Sequence, residues 1–330
     1  MIFKMQNISV IGAGSWGTAL AALLGEKGFN VRLWARREEL ANEIESKKEN
    51  AQYLPGIKLP ASVTAGSSLK NSLENSQMVI VAVPSEFFRA AIKGIKPYFR
   101  NQLVVSAAKG IEHVTFMRMS QVIEDELGRS AKILALSGPN HAEEVSRKMP
   151  TASVIAGKDK AACKTAAETL TTETFKLYQL DDVAGVEICG AMKNIAALST
   201  GVCDGLGFGD NAKASIMTLA LMEMNILGRH FGAKRGTVYG LAGVGDLIAT
   251  CTSRHSRNRL VGEQLAKGKT IAEIKNRMNG MVAEGIPTTK SIYEYGRKNK
   301  IEMQLTKQAY EVLFMKKDIK TAISDLLDLI

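Results

Sequence analysis

Cysteine and histidine are scarce, with four of each in 330 residues. Cys163, Cys189, Cys203 and Cys251 form no CxxC and share no ligand spacing with the histidines, so neither a zinc site nor a disulfide framework is written into the chain, and no metal is expected. Lone cysteines of this kind behave as small buried apolar residues and fit a reducing cytosol, so a cytoplasmic protein is expected. Aromatic residues make up only 6%, too few for the stacking platforms of a single-strand nucleic-acid binder, and no recognised reading helix accompanies them. No uncharged apolar run reaches the ~18–20 residues of a membrane span. Repeats and low-complexity tails are lacking as well. The uncharged stretch from Ile8 to Leu24 resembles the apolar region of a secretory signal, but Gly12, Gly14 and Gly17 would weaken an inserted helix and suit a tight strand-to-helix turn instead.

What is present is a globular composition, 45% hydrophobic and 23% charged, on a chain long enough for two domains. Subtracting 33 acidic from 43 basic side chains leaves +10, a balance that favours anionic partners such as phosphorylated metabolites. After the strand ending at Ile11 come a helix over about 18–27 and a strand over 30–35, a βαβ unit. Further buried-strand patterns stand at 78–83, 103–107, 133–137 and 153–156, and alternating Phe175 to Leu180 reads as an edge strand. From residue 183 the period turns helical, over 183–198, 212–231, 261–267, 288–299 and 306–315, with glycine-rich loops expected at 201–209 and 240–245. The expected fold is α/β: an N-terminal doubly wound sheet of the Rossmann type over 1–182, followed by an all-α C-terminal substrate domain over 183–330.

Gly12-Ala13-Gly14-Ser15-Trp16-Gly17 is a GxGxxG between a strand and a helix. There the first glycine makes the turn, the second admits a pyrophosphate, and the third packs helix on strand. Ser15 and Trp16 would line the phosphates. At the end of the second strand, where an acidic residue would bind the 2′-hydroxyl of NAD, stand Arg36 and Arg37, whose guanidinium forks suit the 2′-phosphate of NADP. NADP(H) is therefore expected as the preferred cofactor, with NAD(H) possible.

Lys109 and the turn Ser137-Gly138-Pro139-Asn140-His141-Ala142 each follow a parallel strand and should face one crevice. Lys193-Asn194 interrupts an apolar helix, and burial there favours a lysine able to give and take a proton. Asp246 closes Gly240 to Gly245. Ser256-Arg257-Asn258 offers the mixture of hydroxyl, cation and backbone amides that holds an oxyanion.

GAGSWGTA, SAAKGIE, SGPNHAEEV, AMKNIAA, GLAGVGDLIATCTS, SRNR and VAEG occur in this order along nearly the whole chain, which thereby resembles the bacterial NAD(P)-dependent glycerol-3-phosphate dehydrogenases. The resemblance implies hydride exchange between NAD(P)H and dihydroxyacetone phosphate, giving sn-glycerol 3-phosphate for phospholipid synthesis. It implies Lys193 as proton donor or acceptor, assisted by Lys109 and Asp246. It further implies substrate contacts from Lys109, Gly138, Asn140, Lys193, Asn194, Asp246, Ser256, Arg257 and Asn258. Implied cofactor contacts are Gly12, Gly14, Ser15, Trp16, Gly17, Arg36, Arg37, Lys109, Ala142, Arg257, Val282 and Glu284. Asn140 departs from the serine or threonine common in the family. A homodimer is expected. Two rivals are another two-domain dehydrogenase that grips a hydroxy-acid carboxylate and a non-catalytic NADPH sensor, which would tolerate loss of Lys193.

Overall fold

The computed structural model describes residues 6–278 and 280–328. Two compact units divide them: residues up to Ala108 with Met119–Val183, and Lys109–Arg118 with the residues from Ala184 onward. The Lys109–Arg118 segment is the difference from an uninterrupted 1–182 domain. Its Ile111 is buried in the second unit's apolar core and its Phe116 packs against that core. Residues 1–5, 279 and 329–330 of the expected domains lie outside the described residues.

The first unit is built on a sheet of eight strands: β1 Asn7–Ile11, β2 Asn30–Trp34, β3 Val63–Gly66, β4 Met78–Val81, β5 Leu103–Ser106, β6 Ile133–Ser137, β7 Thr151–Ala156 and β8 Phe175–Leu180. Their spatial order is β3-β2-β1-β4-β5-β6-β7-β8. β1 to β6 are mutually parallel, whereas β7 pairs antiparallel with β6, Ala135 opposite Ala156. The sequence reading anticipates neither β3 nor this reversal. β3 reads VTAG, with Val63 alone buried, too little for an apolar-run signal. Between β6 and β7 lies only the one-turn helix Ala142–Val145, and without a crossover helix the strand that follows returns antiparallel. β8, parallel to β7, is an edge strand as its alternation predicts.

Six further helices cover this unit: α1 Ser15–Glu26, α2 Glu38–Lys47, α3 Leu69–Leu73, α4 Ser85–Ile95, α5 Met119–Leu127 and, after the one-turn α6 Ala142–Val145, α7 Lys160–Leu170. The turn from β1 to α1 depends on its glycines. Gly12 adopts φ +114°, and a Cβ there would meet the Ala82 carbonyl oxygen at 2.7 Å; one on Gly17 would lie 1.8 Å from the Gly12 oxygen. A methyl group at Gly14 would have open space around it, leaving the mouth of the turn clear.

The second unit is helical: α8 Val183–Leu206, α9 Asp210–His230, α10 Arg235–Val238, α11 Asp246–Thr252, α12 Arg257–Ala266, α13 Ile271–Arg277, α14 Gly285–Asn299, α15 Gln304–Met315 and α16 Ile319–Leu327. Two expected loops are largely helical instead, only 207–209 and Gly240 lying outside a helix. α8 runs on through Gly201 and Gly205, where an added Cβ would meet the Arg259 oxygen at 1.9 Å and the Glu263 oxygen at 2.6 Å; one on Gly262 would meet the Leu198 oxygen at 1.9 Å. These glycines let α8 and α12 cross with their backbones nearly touching, which outweighs the ~1 kcal/mol each costs inside a helix. Likewise Leu241–Gly245 winds as a π-helical turn into α11. Among the described residues no helix is long and apolar enough to cross a membrane.

Glu223 of α9 is buried and caps α15, accepting from Leu305 N at 2.6 Å, Thr306 N at 3.2 Å and Thr306 Oγ1 at 2.7 Å. Burial raises its carboxyl from the ordinary 4.5 to about 7, against the pull of these donors. The folded state therefore binds this proton more tightly than the unfolded chain, a contribution full below 4.5 and lost as pH rises through about 7. Glu223→Gln, which cannot ionise, should gain in Tm relative to the parent protein between about pH 5 and 8. An equal difference in Tm at both ends would remove this titration from the stability of the fold.

Candidate active site

Within the second unit, three distant stretches of chain meet at one carboxylate. Lys193 lies near the middle of α8, Asp246 opens α11 after the π-helical turn, and Lys109 follows the end of β5 by three residues, 109 against 106. Lys193 Nζ donates to Asp246 Oδ1 at 2.5 Å and to Thr250 Oγ1 at 2.6 Å, while Lys109 Nζ donates to Asp246 Oδ2 at 2.8 Å. Thr250 Oγ1 in turn donates to Asp246 Oδ1 at 3.2 Å. Lys193 and Asp246 are 5% and 1% exposed, so these charges persist only because they are paired and hydrogen-bonded.

The electrostatics follow from two ammoniums sharing one carboxylate. Burial pushes Lys109 down to about 7, Asp246 pulling it back up and Lys193 adding to the fall. At Asp246 burial opposes the charge, but the two ammoniums hold its carboxyl below the ordinary carboxylate value. With both lysines protonated the trio sums to one positive charge, and its Lys109 proton is labile near neutrality. Such a site is suited to an oxygen that becomes anionic during reaction.

Beside the trio, Asn258 Nδ2 donates to Asn194 Oδ1 at 2.8 Å, and Gly285 N donates to Asn258 Oδ1 at 2.8 Å. This bond chain ties α8, α12 and the start of α14 together. Ser256 caps α12, its Oγ accepting from Arg259 N at 3.2 Å. Arg259 is engaged with Asp204 and Glu263, whereas half-buried Arg257 has no carboxylate partner among the described residues. Val282 and Glu284, also half-buried, precede α14.

The remaining expected site residues belong to the first unit. Gly14 is the N-cap of α1, with no side chain capping it and no acidic residue in the first turn, so the amides of a helix start are available to an anion. Ser15 is buried as the helix's first residue. The Trp16 ring packs edge-on against Phe175 at 6.3 Å and joins the apolar cluster of Ala19, Leu54 and Ala142. Arg36 and Arg37 are exposed just beyond β2; the Arg36 guanidinium lies 5.1 Å above the Phe87 ring, and Arg37 donates to Gln52 Oε1 at 2.5 Å. Gly138 takes a φ of +128°, and a Cβ there would also approach Ser153 Cα at 2.9 Å. The buried Asn140 amide donates to Ser153 Oγ at 3.2 Å. Among the described residues no group of three potential ligands could hold a metal ion.

The sequence reading misses Thr250, although its spacing of four from Asp246 puts both on one face of α11. It also misses the pair of half-buried Arg118 and buried Glu187, 2.5 Å apart, for which the sequence carries no signal.

A glycine turn opening onto an uncapped helix at the head of a mostly parallel sheet, and a buried lysine on a carboxylate in a helical unit, together define a nicotinamide-dependent dehydrogenase. The chain belongs to the NAD-dependent glycerol-3-phosphate dehydrogenase family, whose N-terminal model matches residues 7–163 and C-terminal model residues 182–324. A glycerol-3-phosphate dehydrogenase [NAD(P)+] of Chlorobium chlorochromatii is 44% identical over 326 residues, 98% of each chain. The Bacillus anthracis protein of the same name is also 44% identical, covering 98% of this chain and 96% of its own. The crystal structure of glycerol-3-phosphate dehydrogenase from Coxiella burnetii has a TM-score of 0.95 at 37% identity, covering 98% of this chain and 99% of that one.

Gly285→Ala tests the bond chain beside the trio. The added methyl would stand 2.7 Å from the Asn194 oxygen and 2.9 Å from Asn258 Oδ1, overpacking that should cost about 1–3 kcal/mol and lower the Tm. An unchanged Tm would mean that α14 can move away freely.

Proposed function

We infer that this protein is an NAD(P)-dependent glycerol-3-phosphate dehydrogenase, exchanging a hydride between NAD(P)H and dihydroxyacetone phosphate to give sn-glycerol 3-phosphate for phospholipid synthesis. The observation that carries the reading is the buried Lys193 ammonium held on Asp246 and Thr250, in a chain of this family. The glycine turn fits a dinucleotide: it is clear above Gly14 and presents uncapped amides from α1. Gly12, Gly14, Ser15, Trp16 and Gly17 would hold the pyrophosphate, Trp16 through its backbone because its ring is committed to packing. Ala142, Val282 and Glu284 would add cofactor contacts. When bound, the nicotinamide supplies or accepts the hydride.

The chain's own residues manage charge and position. Lys193 donates to the C2 carbonyl oxygen and passes it a proton as alkoxide character develops; in the reverse direction it takes the proton back. Asp246 orients Lys193 and Lys109, and Lys109 helps polarise the same oxygen. Arg257, which has no carboxylate partner among the described residues, would with the backbone amides opening α12 grip the remote phosphate and so fix C2. Ser256 and Asn258 serve this loop chiefly by shaping it, as N-cap and as link to Asn194 and Gly285. Gly138 and Asn140 are kept as substrate contacts from the first unit, Asn140 with its amide shared with Ser153. We further infer a cytoplasmic homodimer. The four free, buried thiols suit a reducing compartment, and exposed Met222 and Ile226 on α9 offer apolar surface to a second copy.

The direct test follows nicotinamide absorbance with dihydroxyacetone phosphate. Lys193→Met should lower kcat by about a thousandfold or more while leaving the Kd for NADPH nearly unchanged, because the ammonium acts on charge that develops in the transition state. Near-parental kcat would remove Lys193 from the mechanism and favour a sensor.

NADPH is the inferred preference, from the exposed guanidiniums of Arg36 and Arg37 beyond β2. Arg36→Glu combined with Arg37→Ala should raise KM for NADPH by about tenfold or more and change that for NADH by less than about threefold. Equal changes for the two cofactors would mean that neither arginine reads the 2′ position.

A further inference from the structure

The Lys109–Arg118 loop leaves the sheet after β5 and packs wholly with the helical unit. Its two ends are drawn together by an antiparallel bridge between Ile111 and Arg118 and by Glu112 N donating to the Met117 oxygen at 3.0 Å. At its tip Val114 and Phe116 take φ of +75° and +58°. Val114 is β-branched, for which that conformation is strained, and it is itself exposed. The loop is held through its other residues. Ile111 is buried in the second core, Phe116 sits edge-on to Tyr295 at 5.6 Å, and Lys298 lies 5.8 Å over the Phe116 ring. At the far end Arg118 Nη1 meets Glu187 Oε2 at 2.5 Å, with only 3% of the Glu187 side chain exposed.

Glu187 stands on α8, the helix that carries Lys193. Lys109 and Lys193 bind opposite oxygens of Asp246, so their relative placement decides whether both ammoniums reach one carboxylate. Apolar contacts such as those of Ile111 and Phe116 hold the loop down but tolerate sliding. A charge-assisted bond to the buried Glu187 carboxylate is directional and does not.

We propose that the Arg118–Glu187 ion pair latches this loop to α8 and thereby fixes the position of Lys109 against Asp246, making the two a positioning pair for the reaction. The proposal rests on Lys109 acting at the site. Arg118 and Glu187 are not needed to touch the substrate; they act through Lys109.

The test uses the full-length enzyme, steady-state kinetics with dihydroxyacetone phosphate and NADPH, and thermal unfolding. Arg118→Met alone strands a buried carboxylate and should lower both Tm and kcat. Arg118→Met with Glu187→Met removes both charges. It should restore Tm to within about 3 °C of the parent while kcat stays down by about tenfold and KM for NADPH moves less than about twofold. Recovery of kcat together with Tm would overturn the proposal, because a merely structural pair predicts that recovery. Glu187→Asp gives an independent reading, since it keeps the charge but shortens the reach. It should cost about fivefold or more in kcat at nearly unchanged Tm, and a parental kcat would overturn the latch. Lys109→Met separates this proposal from the reading beneath it. If that variant keeps parental kcat, the role of Lys109 fails and the latch with it; if it loses kcat while the pair variants do not, only the latch is wrong.

Discussion

The Asp246 carboxylate is the fixed point of the helical unit. Two ammoniums and a hydroxyl converge on it from residues 109, 193 and 250, contributed by a loop, the centre of a long helix and the next turn of its own helix. Burying three charges is costly unless each finds its partner, so the elements that carry them have little freedom to shift. The π-helical turn before α11 belongs to this constraint. Gly243 lies where a Cβ would be 1.9 Å from the Val238 oxygen, and that close packing sets where Asp246 begins its helix.

A second constraint is backbone proximity. α8 and α12 cross at Gly201, Gly205 and Gly262, and α14 starts at Gly285 against Asn194 and Asn258. Removing side chains at these crossings shortens the distance between helices, which brings short side chains such as Asn194 and Asn258 within direct bonding reach. The residues next to them, Lys193 and Arg257, are then held at set positions by their neighbours' bonds. Helix packing here is part of the site's geometry, since the asparagine link depends on it.

What the sequence reveals follows from how local the physics is. The β1–α1 turn is legible because the demand at Gly17 is set by the Gly12 oxygen within the same motif, and the burial of Lys193 because alanines and Met192 flank it. β3 is not legible, since Val63 is its only buried residue and its pairing with β2 comes from across the fold. Gly201 and Gly205 read as a loop because a glycine needed for close crossing looks, in sequence, like a glycine needed for a turn. Thr250 becomes visible only if helical spacing is carried beyond Asp246. Arg118 and Glu187 are 69 residues apart, and nothing local marks either of them.

The division of labour between the two units has a chemical consequence. Lys109, Lys193, Asp246 and Thr250 all belong to the helical unit, although Lys109 is reached by a chain excursion that leaves the first unit at Ala108 and returns at Met119. On the proposed roles, the proton source is therefore assembled without any residue of the sheet. Preorganised charge of this kind costs no rearrangement at the moment of reaction, so in the proposed mechanism the Lys193 ammonium is in place before the hydride is delivered. The excursion also explains why the loop needs its own anchors. A segment tethered at both ends to one unit, yet required to hold a lysine on the other unit's carboxylate, keeps its register through contacts made in the second unit, among them those of Ile111, Phe116 and Arg118.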